Sequence, residues 1–335
     1  MAIRIDQIKN MKSNVTIVMY HYVRDLANSR YPEIKGLDLP CFVNQIEYLN
    51  KHYNVITTEE LIHSIDTGES LPPKSALLTF DDGYIDHYTN VFPILSNYGI
   101  QGSFYIPVKA IKEHVVLDVN KIHFILASTP DKLMIVKDLE HLLEKYRTTY
   151  QLYPFDHYYD MLAKASRYDS KEVIFIKRLL QVELIEELRL KIVEELFVKY
   201  VGMEEHVFAK ELYMTEDQLI HMQNSGMHIG SHGFNHYWWN HLNEKDLASE
   251  LDLSMSFLHD IGVDMKNWTA CYPYGSFDEQ AVRMLSSRGC KMAVTTQVDV
   301  AEPIEKMRFL LPRLDTNDLP KEKNSTINDW YKKAI

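Results

Sequence analysis

Only three cysteines, Cys41, Cys271 and Cys290, occur in 335 residues. An odd and widely spaced set gives neither a disulfide framework nor a zinc-finger spacing, so a reducing compartment is expected. Positive charge is also short: Lys plus Arg number 36 against 47 Asp plus Glu, for a net charge of −11. That balance argues against nucleic-acid and anionic-membrane partners, which recruit basic patches. The opening segment MAIRIDQIKNMKSN lacks the apolar core of a secretion signal, and no apolar run approaches the roughly 18 residues that span a bilayer. The expectation is a soluble, cytoplasmic protein. Glycine is missing between Gly102 and Gly202, and proline is sparse there. Without those breakers the stretch has little to stop long helices.

What is present reads as an ordinary globular chain, 46% hydrophobic and 25% charged, long enough for one large domain or two modest ones. NVTIVMYHYV is a buried strand ending near Tyr20 and His21. Helices follow over Phe42–His52 and over TTEELIHSI, the latter with Thr58 as its N-cap. Strand SALLTF, helix YIDHYTNVFPILSNYG closed by Gly99, and strand QGSFYIP continue the alternation. It resumes with helix TEDQLIHMQNSG, strand MHIGS, helix NEKDLASELDLSMSFLHDIG, strand WTACYP, helix DEQAVRMLSSRG, strand CKMAVTT and a last strand RFLLPRL. Seven or eight βα units predict an α/β barrel formed by residues 1–106 and 213–335. Residues 107–212, with the helix-forming run VIFIKRLLQVELIEELRLKIVEELFVKY, predict a large helical insertion that could serve as a cap or an oligomer surface.

In such barrels reactive side chains gather at the carboxyl ends of strands. Asp81, Asp82, His21, His232 and Tyr274 all fall at or just after predicted strand ends. Adjacent carboxylates beside apolar surface repel and are costly to bury, so Asp81 and Asp82 in TFDDG need something to offset them. GSHGFNH places His232 and His236 four apart, a spacing that can bring two imidazoles to one ion. With Asp82 they make a two-His, one-Asp set with room for water, as catalytic zinc sites have. Asp81 would stay free to take a proton from a water acidified by the ion. The plainer alternative is an Asp-Gly turn with both acids solvated. His228, in the strand before GSH, fits the core or the surroundings of the site better than the ion.

TFDDG, SHGFNH and YPYG, in that order and each after a strand, resemble the NodB-homology polysaccharide deacetylases, carbohydrate esterase family four. The resemblance covers about residues 13–106 and 213–315. It implies a distorted (β/α)7–8 barrel and a divalent metal, zinc first among them, on Asp82, His232 and His236. It further implies Asp81 as catalytic base and the backbone N–H of Tyr274 as an oxyanion donor, a type of contact whose loss costs about 3–4 kcal/mol of barrier. Two departures stand out. Cys271 occupies the place where the family often has an arginine that orients the base, and Arg313 in LLPRLD is the candidate replacement, unless it is a surface arginine beside Asp315. No histidine follows His259, so the family's late histidine acid is missing. His21 could fill that role, since first and last strands of a closed barrel are neighbours. The alternative is a histidine hydrogen-bonded to backbone. Tyr22, Tyr272, Trp238 and Trp239, beside these motifs, are the candidate sugar contacts, with packing as their alternative.

The expected activity is metal-dependent removal of the N-acetyl group from an amino-sugar glycan or glycan precursor, releasing acetate. Three alternatives stay open: a hydrolase of another small amide such as a cyclic ureide or formamide, a catalytically decayed metal-bearing carbohydrate-binding protein, and a two-His, one-carboxylate iron oxygenase.

Overall fold

The computed structural model describes residues 14–166 and 169–334. In chain order its strands are β1 (Val15–Tyr20), β2 (Val23–Arg24), β3 (Leu37–Asp38), β4 (Asn54–Val55), β5 (Ser75–Asp81), β6 (Gly102–Ile106), β7 (His228–Ser231), β8 (Ala270–Cys271), β9 (Ala293–Val294) and β10 (Leu314–Asp315). Eight of them form one sheet ordered β10-β1-β5-β6-β7-β8-β9, with β4 added beside β5, and every ladder in it is parallel. A parallel bridge from Val294 to Leu311 carries the curl from β9 to the stretch that leads into β10. The sheet is a curled, barrel-like α/β structure in which first and last strands lie side by side, Val18 opposite Leu314.

β5 lies inside the sheet between β1 and β6 and is buried along its whole length. Strands covered on both faces read as near-continuous apolar runs, as SALLTF does. Side-chain alternation then decides what each residue meets. Tyr20, Phe80 and Phe104 are in register on β1, β5 and β6. Their rings stack at 4.9 and 4.8 Å on the side where Phe42 of the helix Leu39–His52 packs edge-on. Leu77, Thr79 and Asp81 point the other way. Leu77 joins Val15, Ile17, Tyr105, Met292, Val294 and Leu311 in the interior cluster, and Asp81 is left at the carboxyl rim above it.

Several elements differ in detail from their sequence patterns. Thr57 rather than Thr58 caps the helix Thr58–Thr67, in a reciprocal box with Glu60. The last four predicted strands shrink to two or four residues, because short post-strand turns carry the site residues out of the ladder. After the acid pair the chain forms a π-helical turn, His87–Val91, before the helix Phe92–Tyr98, which Gly99 ends in the left-handed region (φ 65°).

The chain divides into two compact units: one holds the chain up to Asp25, Gly36–Glu113 and everything from Lys210 on; the other holds Leu26–Lys35 and His114–Ala209. The second unit contains the helices Asp118–Ala127, Lys132–Tyr150, Phe155–Leu162, Lys171–Arg178 and Glu186–Tyr200. The run from Lys171 to Tyr200 is therefore not one helix. Its buried residues Ile176, Leu180, Leu184, Leu188, Ile192 and Leu196 repeat every four positions. Such a stripe walks about 40° round a straight helix at each step. A π-turn at Leu179–Glu183 and the extended Leu184 and Ile185 reset its phase. Among the described residues no helix is long and apolar enough to cross a membrane.

Gly230 on β7 lies under the Tyr105 ring. An added Cβ would stand 2.7 Å from Tyr105 Cδ1 and Cε1 and 2.8 Å from Thr269 Oγ1. Gly230→Ala is expected to lose about 1–3 kcal/mol, read as a lower urea midpoint at unchanged slope. A wild-type midpoint would show that the ring has room to move.

Candidate active site

Asp81 ends β5 and is only 2% exposed. Arg313, itself 1% exposed just before β10, grips it from both sides: Nη1 donates to Oδ1 at 2.8 Å and Nη2 to Oδ2 at 2.7 Å. The rest of the guanidinium is used as well, with Nε on the Thr295 carbonyl (2.8 Å), Nη1 on Thr79 Oγ1 (3.0 Å) and Nη2 on Cys271 Sγ (3.2 Å). The arginine is thus no surface residue; it occupies the place beside the base, with the Cys271 thiol against it. Burial alone would raise the Asp81 carboxyl, but the Arg313 charge and its two hydrogen bonds outweigh this, helped by His232 and His21, and hold it near 2. His21 lies beyond the end of β1, and its Nε2 is 3.9 Å from Asp81 Oδ2.

Asp82 turns the opposite way because its backbone is left-handed, with φ 75°. Tyr84 OH donates to its Oδ2 at 2.5 Å, which leaves Oδ1 facing His232 Nε2 at 3.5 Å and His236 Nε2 at 3.4 Å. The two Nε2 atoms are 3.2 Å apart. His232 Nδ1–H donates to the Cys271 carbonyl at 2.8 Å, so its Nε2 presents a lone pair. Two such nitrogens and a carboxylate oxygen, all buried and converging within 4.8 Å, suit one divalent cation. Burial holds the His236 imidazole well below the ordinary histidine range, so the second imidazole is neutral, as a ligand must be.

The loop bearing both histidines follows β7 without helix. His236 has φ 62°, and Tyr274, in the turn Pro273–Gly275, has φ 58°. Of six non-glycine residues with positive φ among the described residues, three are Asp82, His236 and Tyr274. Left-handed backbone costs roughly 1–2 kcal/mol for a residue with a Cβ, and such conformations cluster where geometry matters. Gly275 must be glycine, since a Cβ there would fall 2.0 Å from Thr296 Oγ1.

Two supporting residues escaped the sequence reading. Glu250 is 3% exposed on the helix Glu244–Asp260. Its carboxylate accepts from the N–H groups of Phe234 (3.0 Å) and Asn235 (2.9 Å) and from the Asn235 side chain, anchoring the loop between the histidines. The signal was an acid in the helix's buried stripe, between Leu247, Leu251 and Ser254. Tyr84 was in plain view after FDDG.

Three of the four candidate sugar contacts need correction. Trp239 and Tyr272 are 0% exposed and pack edge-on in the core with Leu247 and Leu251. Tyr22, 3% exposed, stacks on Tyr84 at 4.0 Å and so supports Asp82 rather than a ligand. Trp238 is half-buried, its indole stacked on Tyr274 (4.4 Å) and beside His241 (5.7 Å), and it stays a candidate. His228 is at the far end of β7, bonded to Thr269 and Glu59, and outside the cluster.

Arg313→Ala would leave Asp81 buried and uncompensated, an expected loss of about 3–5 kcal/mol at neutral pH. Asp81 is held near 2 against roughly 3.9 in an unfolded chain. The folded state therefore binds its proton less tightly, and the pair's stabilisation is complete above about pH 5 and fades as pH falls toward 2. The gap between Arg313→Ala and wild type should accordingly narrow in acid denaturant titrations; a pH-independent gap would mean lost packing instead of charge.

Comparison with known proteins agrees with this geometry. The family model described as "Polysaccharide deacetylase" matches residues 68–145 and 190–293, over half of the chain. YxkH of Bacillus subtilis (strain 168), named as a polysaccharide deacetylase, is 27% identical over 106 residues, covering 31% of this chain and 36% of that protein. The poly-beta-1,6-N-acetyl-D-glucosamine N-deacetylase of Escherichia coli (strain K12) is 34% identical over 80 residues, covering 23% of this chain and 12% of the enzyme. The chain thus matches only about a third or less of the length of these relatives. Among solved structures, the Streptococcus pyogenes deacetylase PplD has a TM-score of 0.54 at 15% identity, covering 91% of this chain and 93% of that one. IcaB from Ammonifex degensii has 0.53 at 16%, covering 97% of both chains; at these identities the likeness concerns the fold. With its motifs, its sheet and its family match in agreement, the chain belongs to the polysaccharide deacetylase family, hydrolases of C–N amide bonds.

Proposed function

We propose that this protein removes acetyl groups from N-acetylglucosamine units of a glycan or glycan precursor, releasing acetate and a free amine. The observation that carries the proposal is the division of labour between neighbouring acids: Asp82 points at two imidazole nitrogens while Asp81 is held ionised by Arg313. The Escherichia coli relative, which by its name acts on poly-β-1,6-N-acetylglucosamine, supports the choice of sugar. A cytoplasmic setting belongs to the same proposal, in keeping with three free thiols at Cys41, Cys271 and Cys290.

A divalent ion on Asp82, His232 and His236, zinc being our first choice, would supply Lewis acidity, making water more acidic and the acetyl carbon more electrophilic. Asp81, held near 2, is a weak base that can take a proton only from an acidified water, and it adjoins the place where one would form. The Tyr274 N–H, fixed by its left-handed turn, would donate to the carbonyl oxygen as charge develops there. As the C–N bond breaks, the amine departs badly unless protonated, and His21, 41% exposed beside Asp81, is placed to give it that proton. The hydroxyl of water would then be on the acetyl carbon, its proton on Asp81 and the proton of His21 on the departing amine. Passing the Asp81 proton and that of the nascent acetic acid to His21 and solvent would restore both side chains and leave acetate.

The decayed-binder alternative loses ground, because Arg313 restores the grip that Cys271 cannot provide. An iron oxygenase would give the oriented Asp81–Arg313 pair no task. Acetate release from β-1,6-linked N-acetylglucosamine oligomers, set against formamides and cyclic ureides, tests the substrate class. Asp81→Asn should retain one bound divalent ion per chain by calorimetry while turnover falls about 10²–10⁴-fold; undiminished acetate release would remove Asp81 from the chemistry. Chelation should abolish turnover, and added zinc should restore it. Activity indifferent to both would overturn the assignment of Asp82, His232 and His236.

A further inference from the structure

His87 lies in none of the three motifs, yet it touches the residue on which amine departure depends. The β1–β5 ladder ends at Tyr20 opposite Phe80, and β2 begins at Val23, so His21 and Tyr22 stand outside regular pairing. Peptide groups in such a gap need partners from elsewhere. The Tyr22 carbonyl accepts from the Leu37 N–H at 2.9 Å, and the His21 carbonyl is met from the segment after the acid pair, which also holds the neighbouring residues. His87 Nε2 pairs with the His21 carbonyl at 2.9 Å, Asn90 Nδ2 donates to the Val23 carbonyl at 2.8 Å, Arg24 Nε donates to Asp86 Oδ2 at 2.7 Å, and the Tyr22 ring lies on Tyr84. Four consecutive residues, 21 to 24, are each met by one residue from 84 to 90.

Three of these contacts hold the corner between β1 and β2 as a whole. Only His87 reaches His21 itself. Facing a carbonyl, the His87 Nε2 must carry the proton, which leaves Nδ1 as an acceptor. That atom has no hydrogen-bond partner, and the ring is wholly buried against Phe80, Tyr84 and Phe104. An apolar side chain would fill the same space without a bare nitrogen, so what histidine adds there is one directional donor. The backbone beneath it is the π-helical turn His87–Val91, a wide turn that is frequent at functional sites.

The geometry points to His87 as a positioning residue for His21, fixing through the His21 carbonyl the backbone from which the acid imidazole reaches the departing nitrogen. This rests on the proposed role of His21 as the acid. The test exploits leaving groups: an amine needs a proton, whereas the phenolate of 4-nitrophenyl acetate leaves without one. His87→Leu is expected to lower kcat on an N-acetylglucosamine oligomer at least about tenfold, a fraction of what general-acid loss removes, with KM little changed. Aryl-ester hydrolysis should fall far less. His21→Ala should show the same selectivity, the double variant should be no worse than His21→Ala alone, and His87→Gln, which keeps a donor, should recover most of the amide rate.

Equal losses on both substrates, additive losses in the double variant, or full amide turnover by His87→Leu would overturn the inference while leaving the acid role of His21 intact. Full amide turnover by His21→Ala would instead overturn that role, and the inference with it. Should His87→Leu fail to fold, His87→Phe, which keeps a ring in the pocket, carries the same comparison.

Discussion

Two carboxylates on consecutive residues, both buried at the end of one strand, can persist only if opposite charge meets each from a different direction. Arg313 supplies it to Asp81, and at Asp82 the His232–His236 pair, with the divalent cation proposed there, would supply it. The requirement propagates outward. The two side chains must diverge, so the peptide at Asp82 must be left-handed; Asp82 must show a chosen oxygen, so Tyr84 must take the other; and Tyr84 must be held, so Tyr22 stacks on it. A buried pair of this kind is weak support for stability in itself. Its value lies in fixing where each acid points.

The histidine loop obeys the same logic. His232 and His236 are four positions apart, and on a helix they would simply lie one turn apart. Here a strand end and a left-handed His236 bring their nitrogens together, and Glu250 ties down the backbone between them. Backbone strain at Asp82, His236 and Tyr274 is offset by the surrounding hydrogen bonds and packing, which is where strained conformations are tolerated in native proteins.

Much of this was legible in the chain. The βα alternation gave the barrel-like sheet, and the strand-end acids and histidines marked its rim, because period and turn chemistry are local. Arg313 could be suggested only by default, as a cation near the last strand; its bidentate grip depends on β10 lying beside β1, which no local pattern encodes. The aromatic assignments failed for a related reason. Trp239 and Tyr272 sit near the site in sequence, yet strand and loop direction turn them into the core. Glu250 and His87 went unseen because a single polar residue in an apolar stripe looks like noise until its partner, remote in the chain, is known. The helix-forming run ending at Tyr200 is split into Lys171–Arg178, a π-turn and Glu186–Tyr200, and its four-residue repeat of buried residues drifts in phase, something a count of helix formers does not register.

Arg313 stands 232 positions beyond Asp81, and this has a bearing on biosynthesis. Contacts that close so long a loop form late, since chain entropy must be lost before they bring any return. A nascent chain emerging from the ribosome would carry the acid pair and both histidines well before the guanidinium that aligns one of those acids. Competence for catalysis would then arrive only with the last part of the chain, and a chain cut short before Arg313 would lack the group that orients its base.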